Sequence, residues 1–212
     1  MIKVLDLFSG AGGAALGYIQ AGFTLTGIDN VKKPYPAEFI KADVMALSID
    51  YLKQFDLIHA SPPCQSYSVT QNLAKAQGKK SNKPQLVEPV RKMLIKSGKP
   101  YIIENVIGAP LLNPIMLCGS AFGLKVRRHR IFESNLKLTG TVCKHKEQGR
   151  PVGVYGSLND QIPNGGRTAK TVDEANDAMG TKGFKWRHLC EAIPPAYTHY
   201  LAEQIKEQLN KN

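Results

Sequence analysis

Residues 55–69 read Phe-Asp-Leu-Ile-His-Ala-Ser-Pro-Pro-Cys-Gln-Ser-Tyr-Ser-Val, and the interpretation of the whole chain depends on this stretch. Its first part, 55–60, is a short and mostly apolar run, which is typical of a buried parallel strand. Pro62 and Pro63 then end the strand, because neither residue can continue a strand or a helix. The sequence therefore presents Cys64 at the carboxyl end of a strand, where open α/β sheets place their chemistry. We expect Cys64 to be a nucleophile.

Length and composition limit the class of protein. At 212 residues, with 42% apolar residues, the chain suits one globular domain with a small appendage. No apolar run is long enough to span a bilayer, so we expect no membrane association. The first residues, 1–7, contain an acid and lead into a glycine loop, which favours a first strand over a signal peptide. The four cysteines are widely spaced, and we expect them to be reduced in the cytoplasm.

The net charge of +11 is concentrated in one part of the sequence. Residues 61–150 hold 16 Lys and Arg against 4 Asp and Glu, whereas the rest of the chain is close to neutral. A positive field around one site favours a polyanionic partner, most simply nucleic acid, over a general effect on solubility. Segment 66–83 lacks apolar periodicity and is rich in lysine. We predict a mobile loop there that closes over a ligand, with Lys79 and Lys80 as contacts to the nucleic acid.

A glycine-rich corner follows the first predicted strand, 2–8. The run Ser9-Gly10-Ala11-Gly12-Gly13 leads into an alanine-rich helix predicted over 14–21. Glycines let a ligand approach the backbone, and the start of a helix offers free N–H groups. The pattern indicates a nucleotide-type binding corner that includes Gly10 and Gly12.

Acidic residues follow the next two predicted strands. Asp29 ends the strand predicted over 23–28, and Asp43 follows the apolar run 39–42. An acid at the end of the second strand suits a ribose diol, and the next acid is placed to contact an adenine edge. Each acid alone is more often a helix cap or a solvated loop residue. Three such features at successive strand ends predict one adenosine-containing cofactor.

Further polar residues complete a set suited to covalent catalysis. The strand predicted over 101–103 ends in Glu104, whose pKa burial would raise, so that it could protonate a ring nitrogen. Arg128 and Arg130 alternate on a segment predicted to be extended, so we expect them to point the same way and to hold a base oxygen or phosphates. We expect the same positive charge to lower the pKa of the Cys64 thiol.

Five motifs in this order resemble those of the cytosine-5 DNA methyltransferases. They are Asp6-Leu7-Phe8-Ser9-Gly10-Ala11-Gly12-Gly13, Pro63-Cys64-Gln65, Glu104-Asn105-Val106, Arg128-His129-Arg130 and Ala192-Ile193-Pro194-Pro195. The resemblance covers nearly the whole chain except 134–168, and it is strongest to small phage-encoded members. It implies a Rossmann-like α/β methyltransferase fold, with a mostly parallel sheet and helices on both faces.

The resemblance also implies the reaction and its partners. Cys64 would add to C6 of a cytosine flipped out of double-stranded DNA, and Glu104 would protonate N3. S-adenosyl-L-methionine would then give its methyl group to C5. Arg130 would contact the base, and Arg128 the phosphate or the catalytic loop. We expect a monomer that protects DNA from restriction, in the host cytoplasm if the gene belongs to a phage.

The cofactor and DNA contacts follow from the same resemblance. Phe8 would stack on the adenine, Asp29 would bind the ribose and Asp43 the adenine edge. The complete predicted cofactor site is Phe8, Gly10, Gly12, Asp29, Asp43 and Pro62. Gln65 and Ser68 would help to hold the displaced DNA strand.

The predicted organisation has three parts. Residues 1–133 form the catalytic and cofactor-binding core, and 169–212 form a C-terminal segment that returns to it. Between them, 134–168 is a small insertion in the place of the family's target-recognition domain. Because this region is so short, we expect a relaxed or very short target sequence.

Other activities share parts of this pattern. An amino-methyltransferase also uses a Ser-Pro-Pro turn, but it needs an aromatic residue where Cys64 stands. An RNA cytosine-5 methyltransferase shares the thiol and the glutamate, and the sequence leaves it open. A non-catalytic DNA-binding or partner-activating relative also stays open, although the joint presence of Cys64, Glu104, Arg128 and Arg130 argues against it.

Metal binding has only a partial signal in the sequence. Cys143 and His145 form half of a metal-binding pattern. No second pair is convincing from its spacing, so we predict no metal site.

Overall fold

A seven-stranded sheet forms the centre of the computed structural model, which describes residues 1–67, 84–162 and 166–209. Its strands are β1 (Lys3–Leu7), β2 (Thr24–Asp29), β3 (Glu38–Lys41), β4 (Leu57–Ala60), β5 (Tyr101–Asn105), β6 (Ile115–Leu117) and β7 (Arg130–Ser134). Their spatial order is β3-β2-β1-β4-β5-β7-β6, with only β7 antiparallel to its neighbours. The predicted mostly parallel sheet is therefore confirmed. The direction of winding reverses between β1 and β4, and open sheets bind ligands at such a point.

Helices cover both faces of this sheet. They are α1 (Gly13–Gln20), α2 (Ile49–Leu52), α3 (Val87–Ser97), α4 (His145–Gln148), α5 (Val172–Met179), α6 (Trp186–Glu191) and α7 (Pro195–Leu209). Alternate residues of β1 face opposite sides, with Val4 in one buried cluster and Leu5 in the other. The first cluster contains residues of α1 and α7, and the second contains residues of α2 and α3. Each face of the sheet is thus buried, as the pattern of continuous apolar strands predicts.

The first and last helices approach each other very closely. A Cβ atom on Gly17 would lie 2.1 Å from the carbonyl oxygen of Pro195, so only glycine fits there. Thr198 Oγ1 also donates to the Ala14 carbonyl oxygen over 2.7 Å. The C-terminal helix is therefore fixed directly beside the helix that begins at the glycine corner.

A second, three-stranded sheet lies in the C-terminal half. It consists of β8 (Val152–Gly153), β9 (Gln161–Ile162) and β10 (Gly166–Thr168), in the order β8-β10-β9. A buried cluster joins this region to the two helices that follow it: Val126, Val154, Ala169, Ala175, Ala178, Met179, Leu189 and Ala192. This packing connects residues on both sides of position 168. The predicted division of the chain into 1–133, 134–168 and 169–212 stays a prediction.

No helix within the described ranges has both the length and the apolar character needed to cross a membrane.

Candidate active site

Cys64 lies just beyond the carboxyl end of β4, as the sequence predicts. Pro63 precedes a short 3-10 helical turn, Cys64–Ser66, and the Tyr67 N–H closes the turn by donating to the Cys64 carbonyl over 2.9 Å. Pro62 is buried, and its carbonyl oxygen accepts a 2.9 Å hydrogen bond from Asn105 Nδ2 at the end of β5. The thiol is therefore held on a short turn that is tied to the neighbouring strand.

Glu104 and Arg130 form a buried ion pair at the same edge of the sheet. Glu104 Oε1 lies 3.0 Å from Arg130 Nε, and the side chains are only 7% and 15% exposed. Strands β5 and β7 are antiparallel neighbours, so the end of one meets the beginning of the other. Burial raises the pKa of Glu104, although Arg130 and a hydrogen bond from Ser61 act in the opposite direction. The carboxyl group is thus more easily protonated than an exposed glutamate.

The pKa of Cys64 differs from the sequence prediction. Burial raises the pKa of this thiol, while Arg130 and, more weakly, Arg128 lower it and Glu104 raises it. The expectation of a lowered pKa is therefore wrong for the protein alone, because desolvation outweighs the two guanidinium groups. Cys64 nevertheless lies close enough to Glu104 and Arg130 for both charges to act on it.

Arg128 is engaged inside the protein. Its guanidinium donates to four carbonyl oxygens, those of Val154, Leu189, Cys190 and Ala192, at 2.6–3.2 Å. Its φ of 36° is left-handed, so the prediction of an extended segment through Arg128 is wrong; β7 begins at Arg130. These contacts tie the site to the small sheet and to α6, a different arrangement from the phosphate contact that the resemblance implies.

A buried chain of hydrogen bonds lies behind Glu104. Ser61 bonds the Glu104 carboxylate, and its Oγ lies 3.1 Å from His59 Nε2. His59 Nδ1 lies 3.0 Å from the Tyr18 hydroxyl on α1. Burial lowers the pKa of His59 to about 3, so the ring is neutral. Sequence reasoning missed this chain, although a histidine within an otherwise apolar strand was a visible signal.

The glycine corner lies at the carboxyl ends of β1 and β2. Gly10 has a φ of 57°, and its N–H donates to Asp29 Oδ2 over 3.0 Å. Asp29 Oδ1 accepts from the Val31 N–H, also over 3.0 Å. A Cβ built on Gly10 would meet no atom within 4 Å, so the backbone is open on that side. Asp29 thus positions the loop, and each of its oxygens keeps a lone pair for a ligand.

Two buried polar atoms at this corner have no hydrogen-bond partner within the described part of the chain. They are Asp6 Oδ1 and Ser9 Oγ. The other carboxylate oxygen of Asp6 accepts from the Tyr35 hydroxyl over 3.0 Å, and burial raises the pKa of Asp6 to about 7. Buried polar atoms are nearly always paired, so these atoms fit a site that is completed by a polar ligand.

The remaining predicted cofactor residues are placed in different ways. Phe8 is half-buried with a φ of 57°, next to the glycine corner. Asp43 caps a 3-10 turn by accepting from the Met45 N–H over 2.9 Å. Gly12 is covered, since a Cβ there would lie 2.3 Å from Pro36 Cδ. Because Asp29 and Asp43 follow the adjacent parallel strands β2 and β3, both lie at one edge of the sheet.

The predicted DNA contacts are only partly described. Gln65 is exposed directly after Cys64. Ser68, Lys79 and Lys80, together with residues 68–83 of the predicted loop, lie outside the described residues.

The sequence shows no convincing second pair of metal ligands beside Cys143 and His145, but the fold brings a candidate pair close to them. Cys118 and His129 lie beside Cys143 and His145, and one ligand atom from each residue lies within 4.8 Å of the other three. Cys118 follows β6 and His129 precedes β7, two neighbouring strands of the sheet. Their proximity depends on strand order, which spacing along the sequence does not reveal.

The fold and site define a methyltransferase-type α/β protein, and comparison with known families identifies the family. The model of the C-5 cytosine-specific DNA methylases matches residues 2–111, and the chain belongs to this family. The family uses S-adenosyl-L-methionine. The matched region contains β1–β5, with the predicted nucleophile, the glutamate and the glycine corner.

Individual relatives match over half of the chain or less. The type II methyltransferase M.FnuDI of Fusobacterium nucleatum is 39% identical over 75 residues, which cover 32% of this chain and 22% of the relative. M1.HphI of Haemophilus parahaemolyticus is 29% identical over 120 residues, which cover 50% of this chain and 32% of the relative. The chain thus matches a third or less of the length of these relatives.

A solved structure matches the fold of this protein over almost the whole chain. A crystal structure from E. coli, described as a DNA modification methyltransferase encoded within a prophage, superposes with a TM-score of 0.69. The alignment covers 99% of this chain and 100% of that one at 16% identity. At this identity the match shows that the two chains share a fold, including the C-terminal part beyond residue 111.

Proposed function

We propose that this protein is an S-adenosyl-L-methionine-dependent DNA (cytosine-5)-methyltransferase. The observation that carries the proposal is the grouping of Cys64 with the buried Glu104–Arg130 pair at the ends of adjacent strands. A thiol and a carboxyl group of raised pKa are the two groups needed to activate a cytosine ring.

Each residue has a definite task in the proposed reaction. Cys64, as the thiolate, forms a bond to C6 of an extruded cytosine, while Glu104 donates its proton to N3 and C5 becomes nucleophilic. Arg130 holds the Glu104 carboxyl in place and contacts the base. Once C5 carries the methyl group, a water molecule removes its proton, the bond between Cys64 and C6 breaks, and N3 returns its proton to Glu104.

Bound S-adenosyl-L-methionine would supply an electrophilic methyl group to this site. We assign its binding to the open backbone at Gly10, with Phe8, Gly12, Asp29, Asp43 and Pro62 around it. The unpaired Asp6 Oδ1 and Ser9 Oγ support this assignment, because they are buried polar atoms that a zwitterionic ligand can satisfy.

The charge distribution favours a nucleic acid as the substrate, and the family match supports DNA. The basic excess in 61–150 surrounds the predicted nucleophile in sequence, and phosphate neutralisation provides most non-specific DNA affinity. We assign contacts with the displaced strand to Gln65, Ser68, Lys79 and Lys80. In this proposal, region 134–168 recognises a relaxed or very short target sequence. The protein acts as a monomer.

The test is nucleoside mass spectrometry of DNA incubated with the protein and methyl-labelled S-adenosyl-L-methionine. We expect labelled 5-methylcytosine from the wild type and from Cys190→Ala, a cysteine of which Arg128 uses only the backbone carbonyl. Cys64→Ala should form none while still binding the cofactor. Full activity of Cys64→Ala would disprove the thiol mechanism, and labelling of RNA but not DNA would reassign the substrate.

A further inference from the structure

We propose that Cys118, His129, Cys143 and His145 form a structural Zn²⁺ site. The four residues come from three separate segments, with 10, 13 and 1 residues between successive members. Their ligand atoms nevertheless converge to within 4.8 Å of one another. Two thiols and two imidazoles are one of the standard ligand sets of structural zinc.

The distances within the cluster fit one tetrahedral ion. Cys118 Sγ lies 3.2 Å from His145 Nε2, and Cys143 Sγ lies 3.4 Å from His129 Nε2. Zinc bonds of about 2.3 Å to sulfur and about 2.0 Å to nitrogen give sulfur–nitrogen edges of about 3.5 Å in a tetrahedron. The two observed edges are close to this value. In these two pairs, sulfur and nitrogen are therefore spaced as two ligands of one zinc ion would be.

The two histidines are arranged as separate ligands. Their ring planes meet at 71°, with ring centroids 5.1 Å apart, so the rings do not stack. Cys118 is fully buried, and its Sγ also lies 3.1 Å from Ser120 Oγ. The Lys144 N–H donates to the same hydroxyl oxygen over 2.9 Å, which fixes the segment between Cys143 and His145. Such outer hydrogen bonds orient metal ligands in known sites.

Four protein ligands occupy every position of a tetrahedral zinc ion, so this site is structural and takes no part in methyl transfer. It would join the end of β6, the beginning of β7 and the start of α4. His129 directly precedes Arg130, and the His129 carbonyl accepts a 2.9 Å hydrogen bond from Arg130 Nη1. The ion would thereby stabilise the backbone that supports the Glu104–Arg130 pair.

Metal analysis of the protein purified from zinc-supplemented cells tests this proposal. We expect about one zinc ion per chain after exhaustive dialysis. Cys143→Ser and His145→Asn should lose the ion. The matched controls Cys190→Ser and His199→Asn, which alter residues outside the cluster, should keep it.

A second measurement does not depend on the variants folding. Wild-type protein, stripped of metal and reduced, is titrated with Co²⁺ and followed by visible absorption. We expect one equivalent to produce the bands of a tetrahedral, thiolate-bound cobalt ion, and Zn²⁺ to displace it. A strong chelator should lower the melting temperature of the wild type but not that of Cys143→Ser.

Two results would overturn the site. One is a wild-type protein that carries no zinc and gives no thiolate–cobalt band. The other is a disulfide between Cys118 and Cys143 in protein prepared under reducing conditions. Neither readout depends on DNA methylation. The proposed zinc site and the proposed enzyme activity can therefore be disproved independently of each other.

Discussion

Asn105 Nδ2 donates a 2.9 Å hydrogen bond to the carbonyl oxygen of Pro62, which joins the end of β5 to the chain that leads into Cys64. The side-chain oxygen of Asn105 accepts from the Val106 N–H, so both ends of the amide are used. Asn105 is 1% exposed, and its neighbour in the sequence is Glu104. One buried side chain therefore sets the distance between the proposed nucleophile and the proposed acid.

Replacing Asn105 with alanine should slow the proposed reaction by about 10- to 100-fold, because small displacements of reacting groups are costly. Cofactor affinity should fall much less than the rate, since Asn105 contacts only Pro62 among the assigned cofactor residues and the glycine corner is on other strands. Single-turnover methylation and calorimetric binding of S-adenosyl-L-methionine separate these effects. A large loss of cofactor affinity with an unchanged rate would show that Asn105 does not position Cys64.

Replacing Arg130 with glutamine should make the Cys64 thiol harder to ionise. Burial already raises the pKa of Cys64, and Arg130 is the largest influence that lowers it. Removing the guanidinium should move the pH profile of alkylation to higher pH and reduce the rate at pH 8 severalfold. Mass spectrometry of the Cys64 peptide after iodoacetamide treatment measures this, with Cys190 as the internal control. An unchanged Cys64 profile would contradict the proposed electrostatic contact.

A second buried ion pair joins α3 to β7. Arg91 Nε and Nη2 bond the two carboxylate oxygens of Glu133 at 2.8 and 2.7 Å. Glu133 also accepts from the Leu112 N–H over 2.7 Å. Glu133→Gln should lower the free energy of unfolding by about 3 kcal/mol, because it leaves the buried Arg91 guanidinium paired only with Glu88, whose side chain is 56% exposed, among the described residues.

Urea unfolding measures the effect of Glu133→Gln, with Glu203→Gln as the control. Glu203 pairs with Lys206 on the surface, where an ion pair contributes little. The control should therefore unfold like the wild type. Equal midpoints for the two variants would show that the buried pair does not stabilise the fold.

His59→Gln should reduce the sensitivity of the protein to acid. The folded pKa of His59 is about 3, against 6.5 for an unperturbed histidine, so below pH 6.5 the unfolded chain takes up a proton that the folded protein does not. The stability that the neutral His59 ring contributes is fully present above pH 6.5 and is lost as the pH falls towards 3. At pH 5 this loss should lower the free energy of unfolding of the wild type by about 2 kcal/mol.

Glutamine can still pair with Tyr18 and Ser61 but does not titrate. The difference in unfolding free energy between variant and wild type should therefore move in favour of the variant between pH 7.5 and pH 5. Asp6, whose pKa is raised, acts in the opposite direction in both proteins and cancels in this comparison. A difference that does not change with pH would show that the pKa of His59 is not lowered in the folded protein.

Local sequence patterns predicted the sheet, its strand ends and the grouping of Cys64 with Glu104. Apolar runs, prolines and glycines act over a few residues, so the sequence displays them directly. The pKa of Cys64 could not be predicted in this way, since burial depends on the packing of the complete chain. Arg128 was placed on an extended segment because neither its left-handed backbone nor its carbonyl partners, which lie 26–64 residues away, leave a local signal.

The contact between α1 and α7 has a consequence for synthesis. Thr198 and Ala14 are 184 positions apart, yet they bond across the close crossing at Gly17. A domain generally folds as a unit, and synthesis proceeds from its N-terminus. The side of α1 that packs on α7 therefore stays uncovered until translation has passed α7. Until then the nascent chain exposes a surface for chaperones and proteases, and the cofactor corner lacks its supporting wall.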